Sequence, residues 1–320
     1  QFIEEVLNQF LIYCSHFYRI YLVKLEVYMK TRELLLKLKL AKGIGIKSEY
    51  RFYRWLKSTY DVIPDELNMT AEEIAETLML SKNKSKTFIN FYNSDKLNSE
   101  LDHHINHVKW LTIIDDLYPE NLKEAYLPPI VLFYFGDLRL LENKALAIVG
   151  SRNNTEYSVK VIKRLMPDII NNGITIVSGL AKGVDRLAHL AAIANHGKTI
   201  AVIGTGLDQY YPRENESLQR TIAKNHLLLS EYPVGCRPAR YHFPERNRII
   251  AGLVRSILVT EAKYRSGSLI TANLALQNNR NVLAVPGRID SELSVGCNDL
   301  IQAGAKPVIT AKDILEEYKY

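Results

Sequence analysis

Four arginines and three aromatic rings lie within the twelve residues from Arg237 to Arg248, against a single acid. In order they are Arg237, Arg240, Tyr241, His242, Phe243, Arg246 and Arg248. Cations that follow a phosphate backbone, together with rings that stack on bases, are typical of a groove for single-stranded nucleic acid. A solvated charged face usually has more acids and fewer aromatics. We therefore favour the binding interpretation, in which Asn247 adds a hydrogen bond to a base or sugar.

Three glycine turns precede this segment, and each follows a short β-branched apolar run. They are A-I-V-G-S-R, I-V-S-G-L-A-K-G-V-D and V-I-G-T-G-L-D-Q-Y-Y-P-R. Such turns at one edge of a parallel sheet let backbone amides and helix N-termini meet an anion. The sequence therefore predicts a phosphate-holding edge. The G-x-G-x-x-G and G-x-x-x-x-G-K-[ST] signatures of dinucleotide binding and NTP hydrolysis are absent.

Each turn also has a structural interpretation, which the sequence leaves open. Ser151 and Arg152 hold a phosphate, or Arg152 pairs with a carboxylate. Lys182 opens a second phosphate cradle, or Asp185 caps the next helix or pairs with that lysine. Arg213 grips a phosphate beside the tyrosines, or it is solvated while the tyrosines are in the core.

Enzymatic chemistry has weaker support in the sequence. No histidine has metal-ligand spacing with a cysteine or acid, and no serine nucleophile elbow is present. Glu261 follows the strand S-I-L-V-T and is the best lone carboxylate at a strand end. It polarises a ribose hydroxyl or acts as a base, or it holds a neighbouring loop through Arg265 or Ser266. We expect no catalytic residue, no metal and no cofactor.

Alternating strands and helices from Lys144 onward must position these residues. The predicted strands are 145–149, 174–178, 199–203, 227–230, 256–260, 282–285 and 307–309. The predicted helices lie near 156–171, 184–195, 214–224, 245–253, 268–278, 297–303 and 311–318. This alternation predicts an α/β, doubly wound, mainly parallel sheet with helices on both faces. We expect 111–136 to add an edge strand, Pro244 to lie in a first helical turn, and Gly173 and Gly197 to follow helix ends.

The preceding part is predicted to be a small all-helical domain with its linker, residues 29–106, before a main domain over 107–320. From Met29 to about Tyr60, nine Lys or Arg residues stand against two acids. The G-I-G at 43–45 indicates either a helix-hairpin-helix turn that meets a nucleic-acid phosphate or, slightly favoured, an ordinary helical hairpin. Thr70 and Glu73 predict a capping box for a helix through about Leu80.

Composition bounds the function class more loosely. The 320 residues are 47% apolar and 24% charged, which suits two globular domains, and a net charge of +6 permits a polyanionic partner. The three cysteines, Cys14, Cys236 and Cys297, argue against a disulfide framework or zinc site and favour a reducing compartment. Residues 1–28 hold no uninterrupted apolar run long enough to span a bilayer. We interpret them as an N-terminal extension of unclear role before a native start at Met29.

The motifs, taken in order, resemble bacterial DNA-processing protein A, the DprA/Smf family. They are G-S-R, S-G-L-A-K-G-V-D, V-I-G-T-G-L-D-x-x-Y-P, H-F-P-x-R-N-R-I-I-A-G-L, E-A-x-x-x-S-G-S-L-I-T-A, V-P-G and G-C-N-x-L-I-x-x-G-A. The resemblance runs from about Met29 to Tyr320 and is strongest from about Leu111. It implies an extended Rossmann-like fold after a sterile-alpha-motif-like helical domain. It also implies a cytoplasmic protein of natural transformation (competence) that binds and protects single-stranded DNA and loads RecA recombinase during DNA recombination.

The resemblance also implies functional residues. The DNA pocket maps to Ser151, Arg152, Gly179, Arg213, Arg240, Phe243, Arg246, Asn247 and Arg248, to which the residue pattern adds Lys182. A homodimer contact maps to Asn298, Ile301 and Pro307.

Two other functions stay open at this point. One is a Rossmann-like nucleotide-binding protein or nucleoside monophosphate N-glycosidic hydrolase that uses Glu261 and Arg152. Such a hydrolase would carry a P-G-G-x-G-T-x-x-E loop, whereas this chain has Ser266-Gly267-Ser268. The other is a protein adaptor with a vestigial pocket.

Overall fold

The computed structural model describes residues 29–319, so the interpretation of residues 1–28 and of Cys14 lies outside the described residues. The first part of the described chain is mainly helical. Its elements are β1 (Met29–Lys30), α1 (Thr31–Leu40), α2 (Ile46–Thr59), β2 (Glu66–Leu67), α3 (Ala71–Thr77), α4 (Lys82–Tyr92) and α5 (Asp95–His107). The capping box between Thr70 and Glu73 is confirmed, and the helix it starts ends at Thr77. The G-I-G turn joins α1 to α2, and its contact with nucleic acid stays a prediction.

The second part alternates strands and helices as predicted. Its strands are β3 (Trp110–Thr112), β4 (Val131–Gly136), β5 (Ala145–Val149), β6 (Thr175–Ser178), β7 (Thr199–Ile203), β8 (Leu227–Ser230), β9 (Ser256–Val259), β10 (Asn281–Ala284) and β11 (Lys306–Pro307). Its helices are α6 (Glu120–Lys123), α7 (Glu156–Asn171), α8 (Val184–Ala194), α9 (Glu216–Asn225), α10 (His242–Leu253), α11 (Gly267–Gln277), α12 (Val295–Gln302) and α13 (Ala311–Leu315).

These nine strands form one sheet in the order β11-β10-β9-β5-β6-β7-β8-β4-β3. The strands from β5 to β11 are parallel, whereas β4 runs antiparallel to β8 and β3 antiparallel to β4. The predicted edge strand V-L-F-Y-F-G is therefore not at the edge, because β3 covers it. The fold is a doubly wound, Rossmann-like α/β sheet, as the alternation predicted.

Continuous apolar runs explain why these strands form where they do. Every residue of β5, β6, β7, β8 and β9 is buried, as expected for parallel strands covered by helices on both faces. Two hydrophobic clusters fill the two faces, one including Met166 and Ile176 and the other including Phe133 and Leu229. The strand ends are thereby fixed, and the loops after them meet at one edge.

Two helix ends differ from each other in a way that the glycines did not predict. Gly173 follows α7 with φ +73°, as a glycine after a helix end does. After α8 the left-handed residue is instead His196, with φ +58°. Gly197 still follows the end of α8 as predicted, and its amide donates to the Ala192 carbonyl oxygen at 2.9 Å, but it is not the left-handed residue. Its missing side chain serves packing, since an added Cβ would lie 2.3 Å from Cδ1 of Ile170.

The helical part packs directly against the sheet. The hydrophobic cluster that contains Phe133 also contains Leu36, Phe52 and Leu97, so side chains from both sides of residue 107 share it. The division into domains at that residue stays a prediction.

Candidate nucleic-acid interface

A cleft of about 560 Å³ opens at the carboxyl edge of the sheet, between the loops that follow β5 and β9. The strand order reverses there, because the chain proceeds from β5 to β8 on one side and from β9 to β11 on the other. Ligands of open α/β sheets bind at such a point. Five of the predicted residues line this cleft: Ser151, Arg152, Phe243, Arg246 and Asn247.

A narrower pocket of about 60 Å³ adjoins the cleft on the side of β7. It shares Arg152, Phe243 and Arg246 with the cleft and adds Gly179 and Lys182. The two spaces thus form one trough along the edge of the sheet, and the loops after β5, β6, β7 and β9 converge on it together with α10 and the start of α11.

Phe243 lies at the centre of this trough and is partly exposed. Its ring centroid is 5.2 Å from that of Tyr211, with the planes tilted by 32°. The Arg152 guanidinium lies 5.7 Å from the Phe243 ring centroid on the exposed side of the trough. An aromatic face beside an exposed cation is the arrangement that stacks a base and neutralises the adjoining phosphate.

Arg246 lines both spaces but is buried, with 4% of its surface exposed. Its Nη1 donates to the Val202 carbonyl oxygen at 2.5 Å. Burial lowers the pKa of Arg246, and the Asp185 carboxylate opposes that effect. An arginine stays charged despite such a shift, so the floor of the trough carries a fixed positive charge.

Backbone amides of the first two glycine turns donate hydrogen bonds to acceptors within the protein itself. The Ser151 amide donates to the Glu261 carbonyl oxygen at 2.7 Å, and the Gly179 and Ala181 amides donate to the Asp185 carboxylate at 3.2 and 3.4 Å. The expectation that these amides face outward is wrong, because Asp185 caps the turn from within. The Ser151, Gly179 and Ala181 amides are therefore satisfied within the protein.

There is also a steric reason for a glycine at residue 179. A Cβ added there would lie 1.8 Å from Nη1 of Arg246, so only a glycine leaves room for the guanidinium. The residue therefore lies at the trough, as predicted, but it shapes the site by admitting a side chain.

Arg248 is not brought into the trough. It is 6% exposed, and its Nη2 donates to both carboxylate oxygens of Glu231 at 2.6 and 2.5 Å. Lys39 of α1 lies 3.5 Å from Glu231 and 3.0 Å from Glu49 of α2. The structure therefore places Arg248 away from the predicted DNA pocket, because residues two positions apart on α10 point to nearly opposite faces of the helix.

This buried cluster of two cations and two anions joins the helical part to α10. Burial acts to raise the pKa of Glu231, but the nearby Lys39 and Arg248 cations outweigh it and lower that pKa. Glu231 therefore stays ionised, and the helix that carries Phe243 and Arg246 is fixed in place from behind.

Three further predicted cations are exposed, and of these only Lys182 lines one of the two described spaces. Lys182 lines the narrower pocket and pairs with Glu214 at 2.6 Å, and Arg213 follows Pro212, which lines the same pocket. Arg240 is exposed two residues before α10. Lys182 does not pair with Asp185, so that alternative is wrong.

Comparison with known proteins identifies the family. Residues 109–319 match the family model described as DNA recombination-mediator protein A. The chain belongs to this family. It is 51% identical to DNA processing protein DprA of Streptococcus pneumoniae over 209 residues, covering 65% of this chain and 74% of that one. Over 211 residues it is 46% identical to the Bacillus subtilis protein of the same name, covering 66% of this chain and 71% of that one.

Solved structures of the family share the fold. The X-ray structure of the S. pneumoniae protein superposes with a TM-score of 0.83 at 41% identity, covering 91% of this chain and all of that one. A second structure shows the single-stranded DNA binding mode of DNA processing protein A from Helicobacter pylori. It matches with a TM-score of 0.59 at 31% identity and covers 66% of this chain and 96% of that one.

One part of the cleft was not singled out by the sequence analysis. Lys263, Tyr264 and Arg265, in the loop between β9 and α11, line the cleft opposite Arg152. They repeat the alternation of cations and aromatics that singled out residues 237–248, directly after a strand. The same compositional signal would have found them.

Glu261 has a structural role. It is 2% exposed and accepts hydrogen bonds from the Thr155 amide at 2.8 Å, from Thr155 Oγ1 at 2.5 Å and from Ser158 Oγ. It thus holds the start of α7 against the end of β9. The interpretation that it holds a loop is confirmed, but through these two residues, not through Arg265 or Ser266.

Two of the predicted dimer residues lie in α12, and the third lies in β11, the strand at one side of the sheet. Asn298 exchanges two hydrogen bonds of 3.1 Å with the backbone of Gly287, Ile301 is partly buried, and Pro307 is exposed in the edge strand β11. Their role in a dimer stays a prediction.

Across residues 29–319, no three His, Cys, Asp or Glu side chains are grouped so that they could hold a metal ion. Over the same range, no helix has the length and apolar character that crossing a bilayer requires.

Proposed function

We propose that this protein binds single-stranded DNA along the trough at the carboxyl edge of its sheet and acts without catalysis. In this role it protects incoming DNA in the cytoplasm during natural transformation and delivers it to RecA recombinase. The relationship to the DNA processing proteins supports the DNA-processing role, and the H. pylori relative binds single-stranded DNA.

One observation carries the proposal: Arg152, Phe243 and Arg246, from two separate segments, line one trough. Among the described residues that line the larger cleft, Asp185 is the acidic one, and its carboxylate is occupied by the turn amides. A strand backbone therefore meets cations without a competing exposed carboxylate.

The arrangement suits an unpaired strand. A base stacks on Phe243. An intact duplex would not offer such a base, because its bases are already paired and stacked on one another. Arg152 beside the ring neutralises the adjoining phosphate, while the buried Arg246 adds charge from below. Ser151, through its hydroxyl, and Asn247 lie within the same cleft as hydrogen-bonding groups.

The occupation of Glu261 favours binding over hydrolysis. Its carboxylate accepts three hydrogen bonds that fix the N-terminus of α7, so it is committed to the scaffold. We also propose that the protein acts as a homodimer through the surface of Asn298, Ile301 and Pro307.

The test measures the affinity of the purified protein for a labelled oligothymidylate over a range of salt concentrations. Arg152→Ala should weaken binding to every sequence alike and reduce the slope of log affinity against log salt by about 0.7, the value for one phosphate contact. Arg139→Ala is a matched control, since Arg139 leads into β5 at the opposite edge of the sheet. It is exposed, and its pair with Asp137 contributes little.

Equal affinities and slopes for Arg152→Ala and the wild-type protein would contradict the assignment of the site. Failure of the wild-type protein to bind single-stranded DNA at low salt would favour the adaptor. Release of free base from nucleoside monophosphates would favour the hydrolase.

A further inference from the structure

The loop between β9 and α11 forms the second wall of the cleft, facing the turn that carries Arg152. It contributes Lys263, Tyr264 and Arg265 to the lining, followed by Ser266 and Ser268. The motif E-A-x-x-x-S-G-S leaves the first three of these positions unspecified, so it assigns no function to them. The structure brings them to the point where the strand order reverses.

Tyr264 and Arg265 form a cation and ring unit like the one on the first wall. The Arg265 guanidinium lies 5.1 Å from the Tyr264 ring centroid, compared with 5.7 Å between Arg152 and Phe243. Both walls thus present one aromatic face and one arginine to the same space. Arrays of this kind hold successive bases of an unpaired strand.

Burial does not explain why Tyr264 is aromatic. Its side chain is 63% exposed, so the ring adds little to the core. Lys263 differs from its two neighbours, because its ammonium group is paired with the Glu292 carboxylate at 2.8 Å. Tyr264 and Arg265 are therefore the members of the loop that can meet a ligand in the cleft.

We propose that this loop is a second stacking wall, so that the DNA strand passes through the cleft between β5 and β9 as well as past Phe243. One base stacks on Phe243, a further base stacks on Tyr264, and Arg265 neutralises a phosphate between them. This inference rests on the proposed function, because it extends the path of the same strand.

The experiment compares Tyr264→Ala, Tyr264→Phe and Arg265→Ala by titration of a labelled oligothymidylate of roughly 20 nucleotides, longer than a typical single-strand site. Tyr264→Ala should weaken binding about 5-fold or more, as expected for loss of one stacking ring. Tyr264→Phe should retain the wild-type affinity, because the aromatic face is kept. Arg265→Ala should reduce the salt slope by about 0.7.

Matched controls come from elsewhere on the surface. Tyr126, 59% exposed, lies in the loop before β4 and tests the general loss of a surface ring. Arg139, paired with Asp137 at 2.9 Å just before β5 at the opposite edge of the sheet, tests the loss of one surface charge. Alanine at either position should leave the affinity and the salt slope unchanged.

The outcomes separate this inference from the proposed function. If Arg152→Ala weakens binding while Tyr264→Ala and Arg265→Ala match the wild-type protein, the second wall is refuted and the site at Phe243 stands. If the wild-type protein does not bind single-stranded DNA, both proposals fail. Weakening by both loop variants, with rescue by Tyr264→Phe, supports the second wall.

Discussion

Replacing Gly179 by alanine tests whether this glycine serves the fold or the ligand. The added Cβ would lie 1.8 Å from Nη1 and 2.3 Å from Cζ of Arg246, so the guanidinium has to move. It would then lose its 2.5 Å hydrogen bond to the buried Val202 carbonyl. A hydrogen bond from a charged group contributes about 1.5–3 kcal/mol, so the free energy of unfolding should fall by about that amount.

The same substitution should be nearly harmless once Arg246 has been removed. Gly179 does not have a left-handed backbone conformation. Alanine at such a position lowers the conformational entropy of the unfolded chain, which raises the free energy of unfolding by roughly 0.4–1 kcal/mol. In an Arg246→Ala background, Gly179→Ala should therefore change stability by about 1 kcal/mol or less. The double-mutant cycle should give a coupling of about 1.5–3 kcal/mol.

Urea unfolding of the four proteins of the cycle measures this coupling, and titration with single-stranded DNA provides a second readout. Displacement of Arg246 should weaken DNA binding by Gly179→Ala alone, with no further loss in the Arg246→Ala background. The reasoning is refuted if Gly179→Ala leaves stability unchanged but weakens DNA binding equally in both backgrounds. That result would show that the backbone at residue 179 itself approaches the phosphate.

Three further predictions concern the ring, the buried charges and a buried histidine. Phe243→Ala should weaken binding of single-stranded DNA by about 1–3 kcal/mol, with the salt slope nearly unchanged; a loss seen only at low salt would contradict stacking. Lys39→Met should lower the free energy of unfolding by about 3–5 kcal/mol in a denaturant titration, because Glu231 loses one of two cations; a loss below about 1 kcal/mol would show that the cluster is solvated. Burial lowers the pKa of His189 to about 3 from an ordinary value of about 6.5, so the unfolded chain binds the proton first as the pH falls. The contribution of His189 to the free energy of unfolding is therefore fully present above about pH 6.5 and has fallen by about 1.4 kcal/mol at pH 5.5. His189→Asn should remove that part of the pH dependence of unfolding.

The sequence was sufficient for the parallel part of the sheet because its signals are local, whereas the short edge strand β3 was not predicted. The runs ending at Val149, Val177 and Ile203 are entirely apolar or β-branched and lie directly before glycine turns, and their burial leaves few alternatives. Residues that follow parallel strands reach the same edge. The convergence of Arg152 with Phe243 could therefore be predicted without coordinates.

Side-chain partners distant in sequence were beyond such reasoning. Arg246 and Arg248 belong to one motif and look equivalent, yet α10 directs one to the trough and the other to Glu231. The use of the Gly179 amide by Asp185 was equally hidden, because a turn that binds an anion and a turn that binds its own carboxylate have the same sequence. Tyr264 was missed because it occupies an unspecified position of the motif E-A-x-x-x-S-G-S.

Lys39 lies before residue 109, where the match to the family model begins. A fragment cut to that match would keep Glu231 and Arg248 but would turn a buried group of four charges into a pair open to water, whose contribution falls to about 0–1 kcal/mol. The helix that carries Phe243 would then have lost its support on one side. The stretch that matches the family model is therefore shorter than the stretch whose side chains hold this helix in place.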